Sequence, residues 1–423
     1  MSSALVFAGR FCRAVPSHVW RDGTPNVVFT AGRFVGIANA AFVFLASVAG
    51  QLLAQEEIVI RKETWQLNEK PIPIAVSGFS GEADQALKFD LEVMGCKLVS
   101  AGEAQFLVSG SSNGRVEGRL TDQVSKAQLL AKAYTGGTVR AQAHALADDI
   151  VALLPNRGKG IAQTKIAFKA DTGASGEIYI ADYDGHNPQA VTQDHTIAAA
   201  PAWVPGRLEL YYTSYKLGNP DIFHHDLTTG TRKAFARYPG LNTSAAVSPA
   251  GRRVAMILSK SGSPDVYVCD ADGSGLKRLT FTREDESSPC WSPDGQWICF
   301  AGKPKEHRLL CKVPAAGGAV EVVRTGGVPN PTEPDWSPDG KWIAFTSQTA
   351  AGFDICVVPA SGGTATVLTA GEDPSWAPNS RNLIFARRSS GGYVLSLLDV
   401  PTKQVKDVAR RISGSCSQPS WAR

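Results

Sequence analysis

A twelve-residue stretch, Pro289-Cys290-Trp291-Ser292-Pro293-Asp294-Gly295-Gln296-Trp297-Ile298-Cys299-Phe300, is repeated almost unchanged as Pro334-Asp335-Trp336-Ser337-Pro338-Asp339-Gly340-Lys341-Trp342-Ile343-Ala344-Phe345. Looser copies stand at Trp203-Val204-Pro205-Gly206, Val247-Ser248-Pro249-Ala250-Gly251 and Trp376-Ala377-Pro378-Asn379, and a truncated copy at Pro419-Ser420-Trp421. The anchors fall at 203, 247, 291, 336, 376 and 421, spaced 44, 44, 45, 40 and 45 residues. A period in the forties belongs to an array of like supersecondary units, each burying its apolar surface against the next.

Each copy reads as four strands. Pro-x-Trp is a short first strand. Ser-Pro-Asp-Gly is a tight turn, with Pro presetting φ and Gly taking a conformation other residues resist. The second strand passes through Tyr212, Met256, Phe300, Phe345 and Phe385, nine residues after each anchor. A third is apolar and often opens on Asp, as in Asp221-Ile222-Phe223 and Asp265-Val266-Tyr267-Val268. A fourth reads Leu276-Lys277-Arg278-Leu279-Thr280 or Thr364-Ala365-Thr366-Val367-Leu368. Four short strands per repeat define a β-propeller. Lys165–Phe168, Glu177–Ile180 and Gln189–Val191 lack a preceding anchor, and Trp421 lacks following strands. The fold class expected is therefore mainly β: a six-bladed propeller over 158–423, its first blade closed by the C-terminal strand. Closure of the ring removes the main exposed sheet edges.

The grammar changes ahead of the propeller. Residues 72–157 read as a small α/β domain. It has a strand at Ile72–Phe79, a helix over Glu82–Met94 ended by Gly95, and a hairpin from Ala104–Ser109 and Arg115–Asp122. A second helix runs over Thr138–Leu154, with Thr138 as its cap. Residues 55–71 read as an extended segment. Phe34 to Gln55 is uncharged, follows Arg33 and ends in small residues, so residues 1–54 read as a leader with a secretory signal, cut near Gly50 or Ala54. No Cys follows it closely, which argues against a lipid anchor. Its removal takes four Arg and one Asp from 43 basic and 39 acidic residues, leaving a net charge of +1. Such a balance offers no footprint for nucleic acid or anionic membrane.

The sequence holds no convincing catalytic constellation. Gly110-Ser111-Ser112-Asn113-Gly114 matches G-x-S-x-G, but strand rather than helix follows it, so it reads as a hairpin turn. His224 and His225 are neighbours on a strand and point to opposite faces. His186 and His195 have no cluster at metal spacing, and Asp182-Tyr183-Asp184-Gly185 reads as a turn, so no metal or cofactor is expected. Seven cysteines follow the signal, without CxxC spacing. Cys299 takes the slot of Ala255 and Ala344 and reads as a small core filler rather than a bridge.

The loops into the first strands vary from blade to blade, whereas the Ser-Pro-Asp-Gly turns on the opposite face do not. Repeat arrays place their differences on the binding face. The expected partner surface is the propeller mouth, with His195, Thr196, Asn242, Glu284, Glu286, Ser288, Asn330, Glu333, Glu372 and Asp373. Glu284, Glu286, Glu333 and Glu372 are expected to make it acidic and to favour a basic partner surface.

Three stretches carry a family resemblance. Gly160-Ile161-Ala162-Gln163-Thr164-Lys165-Ile166-Ala167-Phe168 resembles the entry into the first blade of the TolB family. Ile180-Ala181-Asp182-Tyr183-Asp184-Gly185-His186-Asn187 resembles its blade-one S-D-Y-D-G-x-N run, and Ala143–Ile150 its A-H-x-x-x-D. The chain departs from the family in a short N-terminal domain and in Leu154-Pro155-Asn156 where the family has L-T-G. The resemblance implies a non-enzymatic periplasmic scaffold of the Tol–Pal system. It would bind a peptidoglycan-associated lipoprotein at the mouth and support outer-membrane integrity and constriction during division. The segment Glu56, Glu57, Ile58, Val59, Ile60 resembles the family's peptide for TolA, which implies a TolA-like inner-membrane partner. Two other readings compete. One is a propeller-type peptidase or lyase, against which stand the missing elbow and a chain that stops at Trp421-Ala422-Arg423. The other is a TolB-like binder of a different envelope ligand.

Overall fold

The computed structural model describes residues 67–303, 307–409 and 411–423. The leader and the segment Glu56–Ile60 lie outside these residues. The α/β region and the propeller belong to one compact unit, Glu63–Arg423.

Six four-stranded antiparallel sheets form the propeller. Blade two runs outward from Ala198–Trp203 through Glu209–Ser214 and Asp221–Asp226 to Thr231–Ala236. The inner strands of blades three to six are Asn242–Val247, Ser287–Trp291, Pro331–Trp336 and Glu372–Trp376. Blade one is composite: its inner strand Ser415–Trp421 pairs with Lys165–Asp171, and Gly176–Asp182 and Gln189–Ala190 follow outward. The ring thus closes as the unmatched Trp421 predicts. One pairing was not foreseen: Thr325–Gly326 runs parallel to Gly363–Thr364 and ties blade four to blade five.

Alternation along the strands sends one set of side chains to each inter-blade layer. Ala255, Val268, Trp291, Ile298 and Phe300 pack between blades three and four. Ala344, Ile355, Trp376, Leu383 and Phe385 pack between five and six. Three of the five anchor indoles also bond backward, whereas Trp336 Nε1 donates to Gly340 O of its own turn (3.2 Å) and Trp421 Nε1 to Thr164 Oγ1 (2.7 Å). Trp203 Nε1 donates to Ser420 O (3.1 Å), Trp291 Nε1 to Ala246 O (2.9 Å) and Trp376 Nε1 to Asp335 O (3.1 Å). Each acceptor stands just before the preceding blade's anchor, so the repeat period itself sets the contact. The Ser-Pro-Asp-Gly turn also stitches itself: Ser337 Oγ bonds Asp339 Oδ1 (2.6 Å) and accepts from Trp342 N (3.0 Å). Gly340 there has φ +76°, which explains the glycine.

In the α/β region, strands β1 (Ile72–Ser77), β2 (Cys96–Leu98), β3 (Phe106–Ser111), β4 (Val116–Asp122) and β5 (Gln128–Tyr134) form one sheet in the order β2-β1-β3-β4-β5. Strand β5 is exposed along most of its length and is an addition to the elements expected from the sequence. Helices α1 (Gly81–Val93) and α2 (Val139–Leu153) pack beside it. Thr138 caps α2 as expected, its hydroxyl accepting from Ala141 N (3.1 Å). Gly118 of β4 lies so close to α2 that a Cβ there would stand 2.4 Å from Leu146 Cδ1. The Gly110–Gly114 match joins β3 to β4 as a hairpin, so Ser112 is no nucleophile on an elbow.

Candidate functional site: the propeller channel and its two faces

The inner strands line a central channel of about 510 Å³. Every inner strand carries a bulge. Its register against the second strand slips at 200–201, 244–245, 288–289, 333–334, 373–374 and 418–419. The first residue of each bulge is left-handed: Ala200, Ser244, Ser288, Glu333, Asp373 and Gln418 all have φ between 50° and 56°. The second is Pro in all but blade three, where Ala245 stands. Proline suits a bulge because no ladder donor is required there. This is the physical content of Pro-x-Trp.

The six left-handed residues form a ring on the channel wall. Half of it is linked across blades by side-chain to backbone bonds. Asp373 N donates to Glu333 Oε2 (3.1 Å), Gln418 N to Asp373 Oδ2 (3.0 Å) and Ala200 N to Gln418 Oε1 (2.9 Å). Blades five, six, one and two are joined in this way. Thr346 Oγ1 also donates to Glu333 (2.7 Å). Burial and then the nearby Glu333 carboxylate push the Asp373 carboxyl well up, and the same two causes raise Glu372. Further along the channel, Arg423 pairs with Asp335 and donates to the carbonyls of Trp376 and Trp336 (both 3.3 Å). The Asp335 carboxylate also accepts from Trp376 N (2.7 Å).

The expected partner residues divide into three groups. Ser288, Glu333 and Asp373 come together in the bulge ring, with Glu372 beside them. His195, Glu284 and Asn330 are exposed on the loops into the inner strands, and Thr196 is half-buried beside His195. Asn242 and Glu286 correct the expectation, because both are buried inside their blades. Asn242 is fully covered; its amide donates to Tyr238 O (2.8 Å) and its carbonyl accepts from Tyr238 N (2.8 Å), which folds the 238–242 loop. Glu286 is 3% exposed and accepts from Thr280, from Thr282 Oγ1 (3.1 Å) and from Val266 N (3.1 Å). Burial pushes its carboxyl up. Of the four carboxylates expected at the mouth, Glu333 and Glu372 accordingly stand where blades five and six meet, Glu284 is exposed on the loop of blade four, and Glu286 is withdrawn into its blade.

The opposite face, with the Ser-Pro-Asp-Gly turns, receives the α/β region at blades six and one. Glu69 accepts from Arg157 Nη1 (2.8 Å) and Arg381 Nη1 (3.0 Å), and Arg381 also holds Asp399 (2.6 Å). Asn382 Nδ2 donates to Val93 O (2.8 Å). At blade one, Arg140 pairs with Asp184. His144 Nδ1 lies 2.7 Å from Asp90 and Nε2 3.4 Å from Asp184, while Tyr183 donates to Asp90 (2.5 Å). Burial acts to lower the His144 pKa, but the Asp184 and Asp90 carboxylates outweigh it and lift it to about 10. Asp182–Gly185 is a turn, as read, yet Tyr183 and Asp184 are buried in this junction. Asp148 accepts from Ala162 N (2.7 Å), and Ala147, Ile161 and Tyr183 share one buried cluster, so the stretches around 148, 162 and 184 all meet here.

Among the described residues no cluster of His, Cys, Asp and Glu has the arrangement of a metal site, and no helix is long and apolar enough to cross a membrane.

The fold and the channel define a closed six-bladed β-propeller with an α/β region seated on its turn face. Residues 156–423 match the model of the TolB beta propeller domain. The chain is 32% identical over 351 residues to the Tol-Pal system protein TolB of Bordetella parapertussis, covering 80% of this chain and 79% of that protein. It is also 32% identical over 330 residues to the Tol-Pal system protein TolB of Bordetella pertussis, covering 75% of each. The crystal structure of TolB from Acinetobacter baumannii superposes with a TM-score of 0.76 at 23% identity, over 85% of this chain and 98% of that one, a likeness of fold. The chain belongs to the TolB family.

Proposed function

We propose that this protein is a non-enzymatic scaffold of the periplasm. It docks a peptidoglycan-associated lipoprotein on the mouth of the propeller and supports outer-membrane integrity and envelope constriction during division. One observation carries the reading. The α/β region occupies the turn face, which leaves the loops that differ most between blades free around the channel rim. The names of the Bordetella relatives support a place in the Tol-Pal system. Partner recognition then rests on His195, Glu284 and Asn330 on the loops and on Ser288, Glu333, Glu372 and Asp373 at the rim. By the same reading, Glu56–Ile60 engage a TolA-like inner-membrane protein.

Calorimetric titration with the soluble domain of a peptidoglycan-associated lipoprotein from the same genome tests the mouth. Glu284 is exposed, so Glu284→Lys is expected to weaken binding about tenfold, roughly 1.4 kcal/mol, with an unchanged melting temperature. Asp294→Asn on the turn face is expected to leave affinity unchanged. The opposite pattern would move the binding face to the turns, and absence of binding by the wild type would sink the partner.

A further inference from the structure

We propose that Cys290 and Cys299 form a redox-modification site: an intrachain, cross-strand disulfide made by exchange with a disulfide oxidant. The two residues are direct partners in the antiparallel ladder between the first and second strands of blade four. Directly opposed residues project to the same face, with Cα atoms about 4.5–5.5 Å apart. A disulfide spans Cα separations of about 4.4–6.8 Å. Both side chains pack in one core cluster between blades four and five. Burial pushes the Cys290 pKa well up, and the neighbouring Cys299 thiol adds to it.

The pairing is peculiar to this blade. The matching positions hold Ala202 with Tyr211, Ala246 with Ala255, Asp335 with Ala344, Ser375 with Ile384 and Ser420 with Ala167. Nearby cysteines are poor competitors. Cys311 opposes Phe300 and packs on the other side of the sheet; Cys356 shares the cluster with Cys290 and Cys299 but stands on blade five opposite Phe345, outside their ladder register. Cys290 also lines the central channel, which gives it a route to solvent that Cys299 lacks.

The chemistry balances with a disulfide R–S–S–R as oxidant. The Cys290 thiolate attacks one sulfur, making a mixed disulfide and expelling one thiolate. The Cys299 thiolate then attacks the Cys290 sulfur and expels the second. The two thiol protons pass to the departing thiolates. The protein loses two hydrogens and two electrons, and the oxidant leaves as two thiols. The raised pKa of Cys290 makes its thiolate scarce in the folded blade, so bridging proceeds while blade four folds or when the channel wall opens. Once made, the bridge clamps the inner strand two residues beyond Ser288, at the channel rim.

The test is done on the purified full chain, so it does not depend on where the protein resides. The chain is refolded in a buffer of oxidised and reduced glutathione, alkylated and digested with trypsin. Trypsin passes the Lys303-Pro304 bond, so Arg283 and Lys305 bracket a peptide that carries both cysteines. It is expected two hydrogens lighter than the dithiol and closed to alkylation until a reductant is added. Cys299→Ala, which copies the residue in blades three and five, is expected to leave Cys290 open to alkylation. The same mapping on natively purified chain, held with oxidised glutathione in sub-denaturing urea, covers a failure to refold. Alkylation of both cysteines in the oxidising arm, or a bridge from either to Cys311 or Cys356, would overturn the proposal.

Discussion

His144 sits between two carboxylates, Asp90 and Asp184, where the α/β region meets blade one. Its folded pKa, about 10, exceeds the ordinary 6.5. Its contribution to stability is therefore complete below pH 6.5 and is lost as pH rises toward about 10. Asp184 has the opposite sign. Burial raises its pKa, but His144 and Arg140 pull it well down, so its contribution is present above 3.8 and lost on acidification. Asp90, pushed up by burial, runs against Asp184. The junction is expected to be firmest between these limits, and urea midpoints of the wild type should fall steadily on the alkaline side. Asp184→Ala strands a buried Arg140 and is expected to cost about 3–5 kcal/mol in denaturant unfolding. A loss below about 1 kcal/mol would mean that the pair is solvated. The sequence offered these residues as motif letters without contacts. Asp182–Gly185 was legible as a turn, but nothing local says that Tyr183 reaches Asp90, 93 positions away.

At the scale of the strand, the repeat was legible because sterics wrote it. Gly at a left-handed turn position, Pro at a bulge and Trp between blades each answer a local need. The left-handed residue before the proline was not legible. Ala200, Ser244, Ser288, Glu333, Asp373 and Gln418 share a backbone conformation but no side-chain chemistry. Strand β5 escaped for a related reason: it is exposed along most of its length and shows little apolar alternation. Glu286 was misjudged because a carboxylate in a variable loop looks solvated, whereas Thr280, Thr282 and Val266 N enclose it. Trp336 is 6% exposed in the layer between blades four and five. Trp336→Ala is expected to lower stability by roughly 3–5 kcal/mol, the cost of removing a large core aromatic. A change well under 1 kcal/mol would show that the layer collapses around the gap.

The whole ring depends on one late strand. Ser415–Trp421 completes blade one, its bulge residue Gln418 links blade six to blade two, and Trp421 Nε1 donates to Thr164 Oγ1 (2.7 Å). Deleting residues 415–423 leaves Lys165–Asp171 as an open inner edge and uncovers Ile166 and Ala167. The truncated chain is expected to lose cooperative unfolding and to aggregate. A single sharp transition in calorimetry, at the wild-type temperature, would refute that dependence.

The same strand sets an order of events during synthesis. Trp421 and Thr164 are bonded although 257 positions separate them. Three strands of blade one leave the ribosome early and then wait, unfinished, while five other blades are made. A chain that folds as it emerges therefore acquires its blades in series, but it becomes a ring only after Ser415–Trp421 arrives. Any stall, nick or premature stop ahead of that strand yields a product with five complete blades and an adhesive flank, which proteases and chaperones can tell from the closed ring.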